Sequence, residues 1–308
     1  MMNVRVGFIL IVCLFLTSCN KNDYNRSDLP AQEINELIQT FGGDIGIYVK
    51  DLETGAEFEV NADTIFPTAS MVKIPIMVKI FDKIENGDLE YQMELEYGPE
   101  PGYEYSGDIV SNLMPGTEVA LSELIHLMMT TSNNTASLWN QYLAGTGTEI
   151  NRWLAENGYD SSRVNSRTDG RDKNFEMYGW GQTTPREIAN LVEGIFKGEV
   201  VNMVASEQMY RIMSRNYWDG EALSQIPPSV NVASKNGAVR ASRSEVLLVN
   251  APSGDYLFSV ITKNQEDTSY DYDNEGWVII RNLSSLLYNH FEPNSEWSPN
   301  EELKKYHQ

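Results

Sequence analysis

The spacing of apolar residues changes twice along this chain, and that change constrains the fold more than any other sequence feature. Residues 44–60 alternate apolar and polar side chains around a turn at 53–55, which predicts an antiparallel hairpin. Residues 68–205 carry apolar side chains mainly at helical spacing. Strand-like runs return at 230–235, 244–250 and 256–262. We therefore predict an α/β (α+β) fold, an antiparallel sheet flanked by helices plus an inserted all-helical subdomain.

The same patterns predict individual elements and boundaries. Helices are expected at 31–41, from about Ser70 to 85, and at 121–131, 133–142, 148–157, 183–196 and 277–290. Residues 159–182 show no clear period and predict a long loop. The predicted domain covers 31–292, with an α/β part at 31–66 and 206–292, a helical part at 67–205, and a polar tail at 293–308.

The first 18 residues have the pattern of an export signal. Arg5 precedes the apolar run 6–16, which is too short for a comfortable membrane span, and small residues lead to Cys19. The pattern resembles a bacterial lipoprotein cleavage site, which implies removal of 1–18, lipid attachment at Cys19 and a tether over 19–30. An ordinary signal peptide with an incidental cysteine is the alternative. We expect an exported, periplasmic protein that contacts a bacterial envelope membrane only through its lipid anchor.

Charge and composition argue against several functions. The chain has 23 Lys and Arg against 44 Asp and Glu, a net charge of −21, which disfavours nucleic acid and anionic membrane surfaces as partners. Cys13 and Cys19 both precede the predicted domain, so we expect no disulfide in it. The three histidines are far apart in sequence, so neither a zinc site nor a Ser-His-Asp triad is expected. We expect a monomer without metal or cofactor.

Ser70 and Lys73 form an S-x-x-K motif at the predicted start of a helix. Residues i and i+3 of a helix share one face, so the serine hydroxyl and the lysine amine should be neighbours. A lysine held among apolar side chains shifts toward its neutral form and can activate a serine as nucleophile. Alone the motif is unspecific, because amphipathic helices contain Ser and Lys at this spacing by chance.

Two further motifs give this pair a chemical context. Ser-Asn-Asn at 132–134 lies between two predicted helices, and Lys-Asn-Gly at 235–237 lies on a predicted strand. In this order and close to this spacing, S-M-V-K, S-N-N and K-N-G resemble the signature of the penicillin-recognising serine hydrolases, most closely the class A β-lactamases. The resemblance covers about residues 40–290 and implies the β-lactamase/transpeptidase-like fold. Asn133 and Asn236 replace the usual Asp and Thr of the motifs.

The resemblance implies a role for each motif residue. Ser70 would be the acylated nucleophile, Lys73 its base, and Ser132 the proton donor to the leaving nitrogen. Lys235 would supply positive charge, and the backbone N–H groups of Ser70 and Ala238 would form the oxyanion hole. The residues expected to bind substrate are Asn134, Asn236, Gly237, Ala238 and Arg240, with Arg243 as a further candidate. Either arginine could bind a substrate carboxylate or be merely solvated.

The main departure from the family pattern concerns release of the acyl group. Class A enzymes activate the deacylating water with a loop Glu two residues after an Arg, and the same alignment here places Asp169 after Arg167. Asp is one methylene shorter, which costs roughly 1.5 Å of reach. Glu176 is a second candidate. Gln182 replaces the acidic partner of the loop arginine, so Asp169 either acts as the catalytic base or pairs with Arg167 as a structural residue.

The sequence therefore predicts a serine β-lactamase-like hydrolase that opens the β-lactam ring through an acyl-enzyme on Ser70. Two alternatives stay open. One is a D-alanyl-D-alanine peptidase-like or other acyl hydrolase on the same fold. The other is a slowly deacylating, non-enzymatic penicillin-binding or sensor module. The expected partner is a small-molecule β-lactam or a peptidoglycan-like acyl substrate.

Overall fold

A five-stranded antiparallel sheet joins the two ends of the predicted domain. The computed structural model describes residues 26–98 and 107–307, so the predicted signal segment, Cys19 and most of the tether lie outside the described residues. The strands are Asp44–Asp51 (β1), Glu57–Val60 (β2), Phe66–Pro67 (β3), Glu94–Glu96 (β4), Glu118–Ala120 (β5), Arg163–Val164 (β6), Gly181–Thr183 (β7), Asn231–Val239 (β8), Ser242–Asn250 (β9) and Tyr256–Lys263 (β10). The large sheet has the order β2-β1-β10-β9-β8.

The pairing of β1 with β10 closes this sheet across the helical insertion. Asp44 pairs with Lys263 and Asp51 pairs with Tyr256, so the two strands run antiparallel along their full lengths. The predicted early hairpin and the three late strands are therefore confirmed as parts of one sheet. The α/β fold class with an antiparallel sheet is confirmed as well.

Helices cover both faces of the sheet. In the described ranges they are Ala31–Ile38 (α1), Lys73–Glu85 (α2), Leu121–Thr130 (α3), Asn134–Leu143 (α4), Thr146–Glu156 (α5), Asp172–Tyr178 (α6), Pro185–Lys197 (α7), Met203–Met213 (α8) and Glu275–Phe291 (α9). Four short 3₁₀ helices lie at Ala69–Val72, Val110–Asn112, Ala222–Gln225 and Glu301–Tyr306. None of the helices in these ranges has both the length and the apolar character that a membrane crossing requires.

The alternation of side chains along β1 divides the core into two clusters. Ile47 and Val49 pack with α1 and α9 on one face of the sheet. Tyr48 points to the other face, where the apolar sides of α2, α3 and α7 form the larger cluster. Because both faces are covered, strands β9 and β10 are almost wholly buried along their lengths. The sheet thus lies between a helical pair and the helical insertion.

Two helices were absent from the sequence prediction. Helix α6 lies inside the predicted loop 159–182, and none of its residues is buried, so it has no apolar face for a pattern to reveal. Helix α8 lies across the predicted boundary at 206. Its first residues, Met203 and Val204, are exposed, whereas Ala205 and Met209 are buried, so its apolar residues do not mark a single face.

Candidate active site

Ser70 lies in the 3₁₀ turn that leads directly into α2, and Lys73 is the first residue of that helix. The turn and the helix bring the two side chains together, with Lys73 Nζ 3.1 Å from Ser70 Oγ. Ala69, immediately before Ser70, has a φ of 45°, a left-handed backbone that non-glycine residues adopt at an energetic cost. The surrounding fold holds Ser70 in this turn despite that cost.

Lys73 is completely buried, and four oxygen atoms surround its amine. Besides Ser70 Oγ, Lys73 Nζ contacts the Ser132 carbonyl at 2.5 Å, Ser132 Oγ at 2.9 Å and Asn134 Oδ1 at 2.8 Å. A neutral amine donates two hydrogen bonds and accepts one. The carbonyl and the amide oxygen can take the two donated bonds. The nitrogen lone pair is then available to the hydroxyl proton of Ser70 or Ser132.

The surroundings of Lys73 favour that neutral form. Burial lowers its pKa well below the usual range, and the positive charge of Lys235 lowers the pKa further, while Asp108 opposes both effects. Asp108 also accepts a hydrogen bond from the backbone N–H of Thr135 at 2.7 Å, which ties it to the start of α4. Lys73 is therefore suited to act as a base at neutral pH.

The junction between α3 and α4 places Ser132 and Asn134. Asn133, which stands where the family has Asp, caps α4 by accepting a hydrogen bond from Ala136 N at 2.7 Å. That cap leaves the Asn134 amide free to bind Lys73. Ser132 has a φ of 57°, a second left-handed residue in the site, and this conformation presents both its carbonyl and its hydroxyl to the lysine.

Strand β8 packs directly against the turn that carries Ser70. A Cβ atom at Gly237 would lie 2.6 Å from Ser70 N and 2.9 Å from Ala69 Cβ, so only glycine fits there. Ser244 on the neighbouring strand donates a hydrogen bond to the Thr68 carbonyl at 3.1 Å, which holds strand and turn together. This close approach puts the backbone of Ala238 beside Ser70, as an oxyanion hole requires.

Lys235 is also fully buried, as is Glu245 on the neighbouring strand β9. The Lys235 amine donates to the Asn236 carbonyl at 2.8 Å and to Asn236 Oδ1 at 3.3 Å. Burial lowers the pKa of Lys235 to about 7 despite the opposing charge of Glu245. Burial raises the pKa of Glu245 to about 8, against the hydrogen bond that its Oε2 accepts from Ala222 N at 3.1 Å.

Most of the predicted site residues line one cavity of about 940 Å³. The predicted residues along its wall are Ser70, Ser132, Asn134, Asn236, Gly237 and Ala238. Lys73 and Lys235 lie buried behind this wall, in contact with Ser132 and Asn236 respectively. The structure therefore brings together residues that are 62 and 103 positions apart in the sequence.

The two carboxylates proposed for deacylation lie elsewhere. Asp169 is exposed and lines a different cavity, of about 580 Å³, and Glu176 is exposed on α6. The expected pairing of Arg167 with Asp169 is not found among the described ion pairs, and Arg167 is itself exposed. Arg171 instead donates to Gln182 Oε1 at 2.7 Å, so a different arginine from the one expected contacts Gln182.

Neither of the candidate arginines for a substrate carboxylate faces the cavity of Ser70. Arg240 is exposed at the end of the hairpin between β8 and β9 and does not line the cavity. Arg243 is fully buried, donates to the carbonyls of Val239 and Ser242, and has its guanidinium 4.8 Å from the centre of the Tyr270 ring. Arg243 thus supports the cavity wall from behind.

Comparison with known proteins identifies the family. A model described as the beta-lactamase enzyme family matches residues 29–291. The chain belongs to this family. Beta-lactamase VEB-1 of Pseudomonas aeruginosa is 20% identical over 301 residues, which cover 94% of this chain and 98% of that relative. Beta-lactamase SME-1 of Serratia marcescens is 23% identical over 245 residues, which cover 76% of this chain and 80% of the relative.

Solved structures show the same fold and so confirm the predicted β-lactamase-like architecture. The structure of a protein named PBP-A has a TM-score of 0.74 and 26% identity, covering 85% of this chain and 96% of that one. A mutant of PBP-A, solved as an acyl-enzyme complex with penicillin G, has a TM-score of 0.75 at the same identity and coverage.

Several residues around the site of this beta-lactamase family member were missed by sequence reasoning. They are Asn216, Tyr217, Trp218, Asp219, Glu221, Tyr270, Trp277, Tyr306 and His307, all lining the cavity of Ser70. They come from three separate stretches of the chain, and no motif connects them. Tyr217 and Trp218 are adjacent aromatic residues in an otherwise polar loop, but a few surface aromatic residues do not by themselves predict a binding site.

Proposed function

We propose that this protein opens β-lactam rings by forming an acyl-enzyme on Ser70. The contacts of the buried Lys73 amine with Ser70, Ser132 and Asn134 carry this proposal. They join a nucleophile, a base with a lowered pKa and a second hydroxyl within hydrogen-bond reach of one nitrogen. Family membership and the acyl-enzyme of PBP-A with penicillin G support the same chemistry.

In the first step Ser70 Oγ attacks the carbonyl carbon of the lactam, and its proton passes to Lys73 Nζ. The carbonyl oxygen becomes an oxyanion, which the N–H groups of Ser70 and Ala238 stabilise. The C–N bond then breaks, and the nitrogen takes a proton from Ser132 Oγ. Ser132 recovers its proton from Lys73, which returns the lysine to its neutral form.

A charged Lys235 assists this second proton transfer. A positive charge near Ser132 lowers the cost of the negative charge that develops on its oxygen as the proton leaves. Because the pKa of Lys235 is about 7, the lysine is charged in a large fraction of molecules near neutral pH. Asn236, which accepts hydrogen bonds from the Lys235 amine, faces the cavity and is placed to contact the substrate.

The second candidate function is that of a slowly deacylating penicillin-binding module or a peptidase-like acyl hydrolase. The position of Asp169 favours it, because this carboxylate lines another cavity and is exposed. Release of the acyl group needs a water molecule activated next to Ser70. If neither Asp169 nor Glu176 activates it, hydrolysis of the ester is expected to be slow compared with its formation.

The test is intact-mass spectrometry of the purified protein after mixing with a penicillin. We expect a gain equal to the mass of the penicillin, mapped by peptide analysis to Ser70 and lost in Ser70→Ala. Absence of an adduct with every penicillin and cephalosporin tried would refute the proposed function. Rapid loss of the adduct with release of ring-opened product would support a β-lactamase, whereas persistence over hours would support the second candidate.

We further propose that the protein acts in the periplasm while held by a lipid on Cys19. The apolar run 6–16, followed by small residues and a cysteine, supports this location. Cys19→Ala should move the protein from the membrane fraction to the soluble fraction of the envelope. Membrane retention of Cys19→Ala would contradict the lipid anchor.

A further inference from the structure

We propose that an aromatic rim on the cavity of Ser70 binds the amine side of the substrate and selects a flat, positively charged group there. The rim consists of Tyr217, Trp218, Tyr270 and Tyr306, all of which line the cavity. This inference rests on the proposed acylation of Ser70 and specifies which substrates are acylated fastest. It concerns the part of the substrate that leaves with the nitrogen rather than the acyl part.

The rim rings present unusually large exposed surfaces. Their side chains are 66% (Tyr217), 50% (Trp218), 66% (Tyr270) and 73% (Tyr306) exposed. An exposed aromatic ring leaves apolar area in contact with water, and four of them around one catalytic cavity form a patch that a ligand would cover. The cavity volume of about 940 Å³ leaves room for a ligand group beyond the reacting amide.

Hydrogen bonds hold one wall of the rim in place. Trp218 Nε1 donates to the Thr131 carbonyl at 2.8 Å, and Tyr217 N donates to the Thr130 carbonyl at 3.0 Å. The two rings meet edge to face, with their centres 5.2 Å apart. The Trp218 ring is therefore anchored to the end of α3, and the Tyr217 ring packs against it, so that binding a flat group costs the Trp218 ring little conformational entropy.

The opposite wall is supported from behind and from the end of the chain. The Arg243 guanidinium lies 4.8 Å from the centre of the Tyr270 ring. Tyr306 is the last residue of the 3₁₀ helix Glu301–Tyr306, which an ion pair between Lys304 and Asp273 ties to the loop before α9. Part of the predicted polar tail thus contributes to the wall of the cavity.

Two connections place the rim on the amine side of the reaction. Thr131, which accepts the hydrogen bond from Trp218, directly precedes Ser132, the residue proposed to protonate the leaving nitrogen. Asn216, which precedes the aromatic pair, donates to Ser234 Oγ at 3.0 Å, next to Lys235. A group attached to the leaving nitrogen would therefore meet the rim, whereas the acyl group remains on Ser70.

The charges on the cavity wall favour a cation at this place. Among the described residues that line the cavity there is neither lysine nor arginine, whereas Asp219 and Glu221 both line it. Glu221 is paired with Arg281 at 2.6 Å, whereas the Asp219 carboxylate lies 4.0 Å from His307, which also lines the cavity, and pairs with no lysine or arginine among the described ion pairs. Aromatic faces attract cations as well, so ring stacking and charge favour the same ligand group.

A matched series of cephalosporins tests this selectivity on the full chain. The three compounds share one acyl side chain, and their C3 substituents are acetoxymethyl, N-methylpyrrolidiniummethyl and pyridiniummethyl. The second-order rate constant for acylation of Ser70 is measured by intact-mass time courses. Each value is divided by the rate constant for alkaline hydrolysis of the same compound, which corrects for the intrinsic reactivity of the ring.

We expect the corrected rate constant to be at least about 5-fold higher for the pyridinium compound than for the acetoxymethyl compound. The pyrrolidinium compound, which is charged but not flat, should lie between them. Trp218→Ala and Tyr270→Ala should each lower the ratio of the corrected rate constants, pyridinium over acetoxymethyl compound, toward one. Trp218→Phe, which keeps an aromatic ring, should retain most of this ratio. Tyr142→Ala removes an exposed tyrosine that does not line the cavity and serves as the control.

Equal corrected rate constants for the three compounds in the unmodified protein would overturn the inference. So would a ratio that survives unchanged in both Trp218→Ala and Tyr270→Ala. Failure of all three compounds while a penicillin acylates Ser70 would overturn this selectivity alone. Absence of an adduct with every penicillin and cephalosporin tried would refute the proposed function and with it this selectivity. Loss of the ratio in Tyr142→Ala to the same extent as in Trp218→Ala would also count against the rim.

Discussion

Replacing Lys235 with methionine should stabilise the protein at acidic pH while it impairs acylation. Burial lowers the pKa of Lys235 from 10.5 to about 7, so a charged Lys235 is more costly in the folded state than in the unfolded chain. A difference of one in pKa corresponds to about 1.4 kcal/mol, so this cost is about 5 kcal/mol below pH 7. Lys235→Met removes it and keeps a similar side-chain volume.

Part of this gain is offset by lost interactions. The amine of Lys235 donates to the carbonyl and the side chain of Asn236, and hydrogen bonds from a charged group contribute about 2 kcal/mol. We therefore expect Lys235→Met to raise the free energy of unfolding at pH 6 by about 2–3 kcal/mol. This opposes the usual result that buried substitutions destabilise.

The pH dependence has a defined sign. Below pH 7 Lys235 holds its proton in both states, and the folded state bears the full cost of the charge. Between pH 7 and 10.5 the unfolded state binds more protons at Lys235, so the contribution of this lysine to stability rises with pH by about 1.4 kcal/mol per unit. The advantage of Lys235→Met should therefore shrink by about 3 kcal/mol between pH 6 and pH 9.

Urea unfolding followed by tryptophan fluorescence at pH 6 and pH 9 measures the gain in the free energy of unfolding at pH 6 and its change with pH. Lys173→Met is the matched control, because Lys173 is exposed on α6 and reports the effect of the substitution itself. A Lys235→Met protein that is less stable than the unmodified one at pH 6, or whose gain in stability grows with pH, would show that burying the charged Lys235 does not destabilise the fold. Acylation of Lys235→Met by a penicillin should be slower at pH 6, where Lys235 carries its charge, and the difference from the unmodified protein should be smaller at pH 9.

Other substitutions test the site itself through the rates of acylation and deacylation by a penicillin. Asp169→Asn should leave both rates unchanged, because this carboxylate lines another cavity, and a large fall in deacylation would assign it the role of base. Asn134→Ala should slow acylation about 10-fold, since its Oδ1 lies 2.8 Å from Lys73 Nζ, and an unchanged rate would separate this contact from catalysis. Gly237→Ala should slow acylation about 100-fold, because the added Cβ pushes β8 away from Ser70. A correctly folded Gly237→Ala protein with full acylation activity would contradict this expectation. The rate of acylation should rise with pH as Lys73, whose pKa is lowered, becomes neutral, and should fall as Lys235, whose pKa is about 7, loses its charge.

Much of the catalytic centre could be predicted because short motifs fix local geometry. Lys73 is three positions after Ser70, and a helical turn at that spacing brings the two side chains into contact. Asn133 is a good N-cap, which positions Asn134 at the first turn of α4. The alternation along β1 likewise predicted a strand, although both faces of that strand are buried in the folded protein.

The loop between 159 and 182 could not be predicted in the same way. Its helix α6 is held by polar contacts and buries none of its residues, so hydrophobic spacing contains no sign of it. Alignment by sequence favoured Arg167, whereas the contact with Gln182 is made by Arg171, four residues later. The position of Asp169 follows from this path of the loop, which depends on tertiary contacts rather than on local preference.

The aromatic rim was beyond prediction for a different reason. Tyr217 and Trp218 precede β8, Tyr270 precedes α9, and Tyr306 follows it, so the rim exists only after the sheet and the last helix have packed. Single aromatic residues in polar loops are common and carry no information about one another. Only the folded arrangement shows that they share a cavity with Ser70.

The catalytic groups are supplied by three elements that are far apart in the chain, with 62 residues from Ser70 to Ser132 and 103 from Ser132 to Lys235. Contacts between such distant segments are slow to form during folding, because each must overcome the entropy of closing a long loop. The helices can therefore form while the site is still open. During refolding, the ability to be acylated should return with the final docking of β8 onto the Ser70 turn, so a penicillin label would count the molecules that have completed folding.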